Sequence, residues 1–202
     1  MTMRFSMLIL FLFVSGCFGI APTQVPLPAI ETADTAARND TLVIMMPGRG
    51  DRAEDFIREG FEQAGREHGF DTIAADAHFG YYMKRSLLPR LHEDIVLPAR
   101  EAGYKNIWFL GISMGGFCSL LYASENPEQV VGIILLAPFL GDKDGIEEIV
   151  ADGGLASWNA ESSSLQDYEI GVWKWLRDSE TPVVLGYVAS AGMAEGYRAV
   201  MT

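Results

Sequence analysis

From residue 42 onward the chain alternates short apolar runs with longer spans of helical spacing, and few architectures accept that rhythm. The runs at 42–46 (LVIMM), 70–77, 106–110 (NIWFL), 130–136 (VVGIILL) and 182–188 (PVVLGYV) have strand length and close against turn residues such as Pro47-Gly48. Their hydrophobicity is largely continuous rather than alternating, the pattern of strands covered on both faces of a parallel sheet. Between them, Asp51 opens a helix that carries Phe56, Ile57, Phe61 and Ala64 on one face and stops at Gly69. Leu87, Leu88, Leu91, Ile95 and Val96 mark a second helix, interrupted or bent by Pro89 and Pro98, and residues 113–124 a third. Residues 141–180 form a polar, glycine-containing insertion with a short helix over 171–177, and 193–201 begin a last helix. The expected fold class is α/β, a mostly parallel sheet with helices on both faces.

Charge and composition remove several functions. With 15 Lys+Arg against 27 Asp+Glu the formal charge is −12, and no basic stripe interleaves with aromatic residues, so nucleic acid lacks its main electrostatic attraction. No histidine pair at helical spacing and no cysteine cluster suggests a metal site. The glycine signatures of phosphate and dinucleotide loops are absent, so no cofactor is expected. No feature sets an oligomeric state.

The first residues read as an address. Arg4 precedes an unbroken apolar run, 7–14, and Ser15 and Gly16 follow, which is the layout of a signal peptide. The run falls short of the roughly 20 residues that a spanning helix needs. Val14-Ser15-Gly16-Cys17 resembles a bacterial lipobox, implying cleavage after residue 16 and a lipid on Cys17. An ordinary secretory signal with a coincidental cysteine is the plainer alternative. The other cysteine, Cys118, falls in the third helix and reads as a small core residue. These features predict an exported, membrane-anchored lipoprotein of the bacterial cell envelope, with signal 1–16, a flexible tether 17–40 rich in Pro22, Pro26 and Pro28, and a domain from 41 to 202.

One motif carries chemistry. The third apolar run leads directly into Gly111-Ile112-Ser113-Met114-Gly115-Gly116, a G-x-S-x-G placed between a strand and a helix. The serine of such an elbow sits on a strained turn, and side chains at Gly111, Gly115 or Gly116 would collide with neighbouring elements. The turn lifts Ser113 Oγ above the sheet edge, and the helix behind it offers free N–H groups to a developing oxyanion. A glycine-rich turn that merely packs is the bland reading.

With this motif in place, residues 41–202 resemble the α/β-hydrolase family. One bacterial branch has counterparts of Met46-Pro47-Gly48-Arg49-Gly50-Asp51, Leu91-His92-Glu93-Asp94, Leu97-Pro98-Ala99-Arg100 and Leu136-Ala137-Pro138-Phe139-Leu140-Gly141. The resemblance implies that Ser113 is the nucleophile and that the oxyanion hole is the Met114 N–H plus one from the Gly48-Arg49 turn. It implies 141–180 as a cap-like insertion, in which Trp158, Trp173 and Trp175 either shape the acyl pocket or pack the cap. The family's order is serine, acid, histidine, yet His68, His78 and His92 all precede Ser113, and the family's final strand and histidine loop have no counterpart. The fold is therefore expected to be C-terminally incomplete. The branch's acid slot, in Gly-Tyr-Gly-x-x-Asp, holds Val188 in place of the last glycine and Ala191 in place of the aspartate. Candidate substitutes are Asp142 and Asp144 for the acid, against a solvated loop, and His78 for the base, against a rim or packing histidine. His92 reads as structural, and Glu93 and Asp94 as a solvated helix face.

Three readings follow. The first is a serine hydrolase cleaving small carboxylic esters through an acyl-enzyme on Ser113. The second is a catalytically inactive, hydrolase-like binding or scaffold lipoprotein. The third is a truncated product of an active hydrolase whose natural chain runs on past residue 202.

Overall fold

In a computed structural model, which describes residues 21–32 and 38–186, the anticipated parallel strands all form. They are β2 (Thr41–Met46), β3 (Asp71–Ala75), β4 (Asn106–Ile112), β5 (Gly132–Leu136) and β6 (Val183–Gly186). A further short strand, β1 (Ala29–Glu31), completes a six-stranded sheet of order β1-β3-β2-β4-β5-β6. β1 pairs antiparallel with β3, in the register Ala29 to Ala75, and every other pairing is parallel. Strand order reverses direction at β2 and β4, so their carboxyl ends form a crevice between neighbouring crossovers, where open α/β sheets place their ligands.

Helices cover both faces. On one side α1 (Ala53–Arg58) and α2 (Phe61–His68) bury Phe56 against Val43, Met45 and Ala74. The expected single helix is split at Gly60, whose φ of 79° cannot continue an α-helix, and Gly69 ends the second piece as anticipated. The opposite face carries the larger core. There α3 (Phe79–Met83), α4 (Leu87–Leu91), α5 (Leu97–Glu101) and α6 (Met114–Glu125) cover Leu42, Ile44, Ile107, Phe109 and Ile133. A π-helical turn, His92–Val96, joins α4 to α5 without a break. It sits just before Pro98, which lacks an N–H for the i−4 carbonyl and whose ring crowds it; a widened turn is one way a helix accommodates that.

The insertion is more helical than its composition suggested. α7 (Lys143–Ala151) and α8 (Asp167–Asp178) flank a 3₁₀ turn, and α8 packs along α6. Trp158 and Trp173 are buried in the same core as Ile149 and Val172. Glu148 holds the loop between the two helices: it accepts from Trp158 Nε1 at 2.8 Å and from Ser164 N and Oγ at 3.2 and 3.0 Å.

The tether expectation fails over residues 21–32. Leu27 is buried, its N–H donates to Asp94 Oδ2 at 2.7 Å, and Gln24 exchanges hydrogen bonds with Tyr81 Oη. Asp76 N–H donates to Pro28 O at 2.8 Å, and Thr32 pairs with Thr72. The prolines at 22, 26 and 28 all precede β1, so Ala29–Glu31 keeps its backbone N–H groups and pairs with β3. Asp94 is accordingly not a solvated residue: its side chain is 10% exposed and also pairs with Arg90. The signal segment 1–16, Cys17, the last-helix span 193–201 and the acid-slot positions Val188 and Ala191 lie outside the described residues.

Candidate active site

β4 ends at Ile112, α6 begins at Met114, and Ser113 alone makes the corner, at φ 49°, ψ −115°. A non-glycine residue is driven into such a conformation only when its surroundings over-determine it. Here they do. Ser113 N–H donates to Leu136 O at 3.1 Å, while Ser113 O accepts from Gly116 N–H at 3.0 Å and Phe139 N–H at 2.9 Å. The turn after β5, with Ala137 at φ 42°, thus buttresses the elbow from the side. This accounts for the 136–141 stretch as a structural partner of the serine.

The elbow glycines are required by close approach. A Cβ on Gly111 would lie 2.5 Å from Gly115 O and Gly116 N, and one on Gly115 only 2.1 Å from Met46 O. On Gly116 it would meet Pro138 Cβ at 2.9 Å. α6 therefore starts in direct backbone contact with the end of β2, which brings the Pro47-Gly48 turn alongside the serine. A Cβ built on Gly48 would stand 3.6 Å from Ser113 Cβ. The Met114 and Gly115 N–H groups stand in the first turn of α6, where an N–H has no intrahelical acceptor. Arg49 is exposed, its guanidinium 4.7 Å above the Phe79 ring, so its side chain is held over α3.

The substitutes for acid and base go elsewhere. His78, just past β3 on the carboxyl side of the sheet, is buried and caps α3: its Nδ1 accepts from Gly80 N–H at 3.1 Å. Its ring packs on Tyr81 at 4.7 Å, and the Pro22 backbone is a further partner. Burial, then the positive charge of Arg52, lowers its pKa, so it is a neutral packing group. The candidate base is thus committed to holding the N-terminal segment. His92 Nδ1 shares a 2.7 Å hydrogen bond with Tyr122 Oη, and His68 Nδ1 one of 2.9 Å with Ala64 O. Asp142 and Asp144 are exposed at the start of α7, where a helix N-terminus suits carboxylates, so the solvated reading describes both.

Sequence reasoning overlooked the aromatic wall beside α6. A cleft of about 750 Å³ runs between α3–α4 and α6–α8, lined by Tyr82, Arg85, Leu88, Phe117, Cys118 and Tyr168 among others. Phe117, one turn after Ser113, meets Phe139 and Tyr168 edge-on at 5.9 and 6.0 Å. The signal was available in the spacing: a residue four after the serine shares its helix face. Trp158 and Trp173 pack the cap and Trp175 is half-buried along another groove, so none of the three lines this cleft. Cys118 is buried as expected, and desolvation pushes its thiol up to about 12. Among the described residues no group of His, Cys, Asp and Glu is arranged to hold a metal, and no helix is long and apolar enough to cross a membrane.

The sheet order, the strand–serine–helix corner and the supporting turn define an α/β-hydrolase fold. Comparison with known proteins agrees. A family model described as serine aminopeptidase, S33, matches residues 85–165. Among solved structures, Est1E from Butyrivibrio proteoclasticus aligns at a TM-score of 0.57 and 17% identity, over 86% of this chain and 80% of that one. A 2-hydroxy-6-oxo-6-phenylhexa-2,4-dienoate hydrolase from Rhodococcus sp. strain RHA1 aligns at 0.53 and 14%, over 86% and 83%. S-formylglutathione hydrolase from Staphylococcus aureus aligns at 0.53 and 12%, over 80% and 66%. No curated protein sequence matches the chain.

Proposed function

We propose that this protein is a serine hydrolase of small carboxylic esters, exported and anchored to the bacterial cell envelope by a lipid on Cys17. The conformation of Ser113 carries the reading. A half-exposed serine held at φ 49° between strand and helix, with Gly48 against its Cβ, is what an acyl-transfer nucleophile needs. Attack of Ser113 Oγ on the ester carbonyl would place the oxyanion near Met114 N–H and the Gly48-Arg49 turn; the alcohol would leave carrying the serine's proton, and water would then release the acyl group as the free acid. The aromatic cleft beside α6 supplies a surface for an apolar acyl or alcohol part.

A second reading has its own support, because each described histidine is engaged away from Ser113. In that reading the chain keeps the hydrolase scaffold and serves as a binding lipoprotein. Losing a triad member costs about four powers of ten in turnover, so the two readings separate cleanly. A fluorophosphonate probe should label the chain within minutes and leave Ser113→Ala unlabelled. A folded chain that stays unlabelled would refute the hydrolase reading and favour the scaffold.

A further inference from the structure

The N-terminal segment and the candidate nucleophile share one edge of the sheet. Ala21 O lies against α3, so close that a Cβ on Gly80 would stand 2.4 Å from it. Lys84 Nζ donates to Thr23 Oγ1 at 2.9 Å, and Gln24 exchanges its two hydrogen bonds with Tyr81. From there the chain runs down the outside of β3 as β1, away from the carboxyl edge. α3 follows the carboxyl end of β3, and β3 lies two strands from β4, so Ser113 is about 10 Å away laterally, on that same edge. Only three residues lie between Cys17 and Ala21, a span of four Cα steps that reaches at most about 14 Å.

The surface around Ala21 has the matching chemistry. Met83 and Val25 are 58% and 73% exposed, and Arg49, over the Phe79 ring, and Lys84 and Arg85, at the end of α3, are exposed too, on a chain of net charge −12. Exposed apolar and cationic side chains together suit an anionic lipid surface.

We propose that the short lipid leash holds the carboxyl edge of the sheet against the bilayer, α3 side foremost, so that the esters Ser113 reaches are those carried in that bilayer. This rests on the anchor and the hydrolase reading above, and the test separates them. Full-length, lipid-modified Met83→Cys and Lys105→Cys chains each receive an environment-sensitive fluorophore; Cys118 is buried and stays unlabelled. Lys105 adjoins the amino end of β4, a seven-residue strand that puts it about 20 Å from the Ser113 edge. Vesicles of phosphatidylethanolamine and phosphatidylglycerol carry a headgroup nitroxide quencher. The label at 83 is expected to be quenched severalfold more than that at 105. Equal quenching, or more at 105, overturns the orientation and leaves the anchor standing; no association with vesicles overturns the anchor and the orientation together. A long Gly-Ser spacer inserted after Gly19 should erase the contrast. It should also lower turnover of a diacylglycerol in the vesicles severalfold while a water-soluble short-chain ester is hydrolysed as before. Unchanged turnover of both esters overturns the substrate assignment, and no turnover of either by the parent chain overturns the hydrolase reading, with the labels still judging orientation.

Discussion

Replacing Gly115 with alanine tests the elbow by the sign of the effect. Gly115 lies in the first turn of α6, and alanine is the better helix former by about 1 kcal/mol, so propensity alone predicts a gain. The structure predicts a loss. The new Cβ would lie 2.1 Å from Met46 O and 2.6 Å from Pro47 O, and both are backbone atoms that cannot rotate aside. Relieving the contact requires α6 and the end of β2 to part by roughly 1 Å in a close-packed core, an overpacking cost of about 1–3 kcal/mol or more. Because the obstacle is backbone, the upper part of that range applies. The net loss is on the order of 2 kcal/mol, a melting temperature lower by roughly 4–8 °C in a domain of this size. Gly171, inside α8 with nothing within 4 Å of its Cβ direction, is the matched control. Gly171→Ala should gain about 0.5–1 kcal/mol. Urea midpoints and thermal melts of the two variants should move in opposite directions. A Gly115→Ala chain that melts at or above the parent would show that β2 and α6 do not meet as described, and the elbow geometry would fall with that contact.

Asp94→Ala removes the acceptor of Leu27 N–H and the partner of Arg90, and leaves a buried donor unmet. It should cost about 1–3 kcal/mol and speed amide exchange across residues 24–31 ahead of the rest of the sheet. Hydrogen bonds from Ser163, Trp158 and Ser164 lower the Glu148 carboxyl from 4.5 to about 2. A depressed carboxyl stabilises the fold above its unfolded pKa and loses that contribution as pH falls from about 4.5 toward 2. Tryptophan fluorescence should therefore report opening of the 152–166 loop in that window, and Glu148→Gln should abolish the transition. Cys118, buried and with its thiol pushed up to about 12, should resist iodoacetamide in the native state and react stoichiometrically once the chain is unfolded in urea.

Much of the architecture was readable from residue order because the sheet is covered on both faces. Continuous apolar runs at 42–46, 106–110 and 130–136 admit few alternatives, and a G-x-S-x-G between strand and helix has a single steric explanation. Ser113 and its glycines are local features, set within a few residues of one another. What escaped the sequence depends on partners distant along the chain. Asp94 looked solvated because its acceptor role is fulfilled 67 residues away at Leu27, and residues 21–32 looked like a tether because β1 exists only through its pairing with β3. His78 carried the pattern of a candidate base, and only its contacts with Gly80, Tyr81 and Pro22 showed it to be a packing group. The sequence alone thus determined the sheet and the glycine-flanked elbow at Ser113, since strands covered on both faces read as continuous apolar runs and so tight a turn leaves no room for side chains beside it. Tertiary structure alone decided which polar side chains are free to act and which edge of the sheet the N-terminal segment comes from, because burial and long-range hydrogen bonding assign those roles.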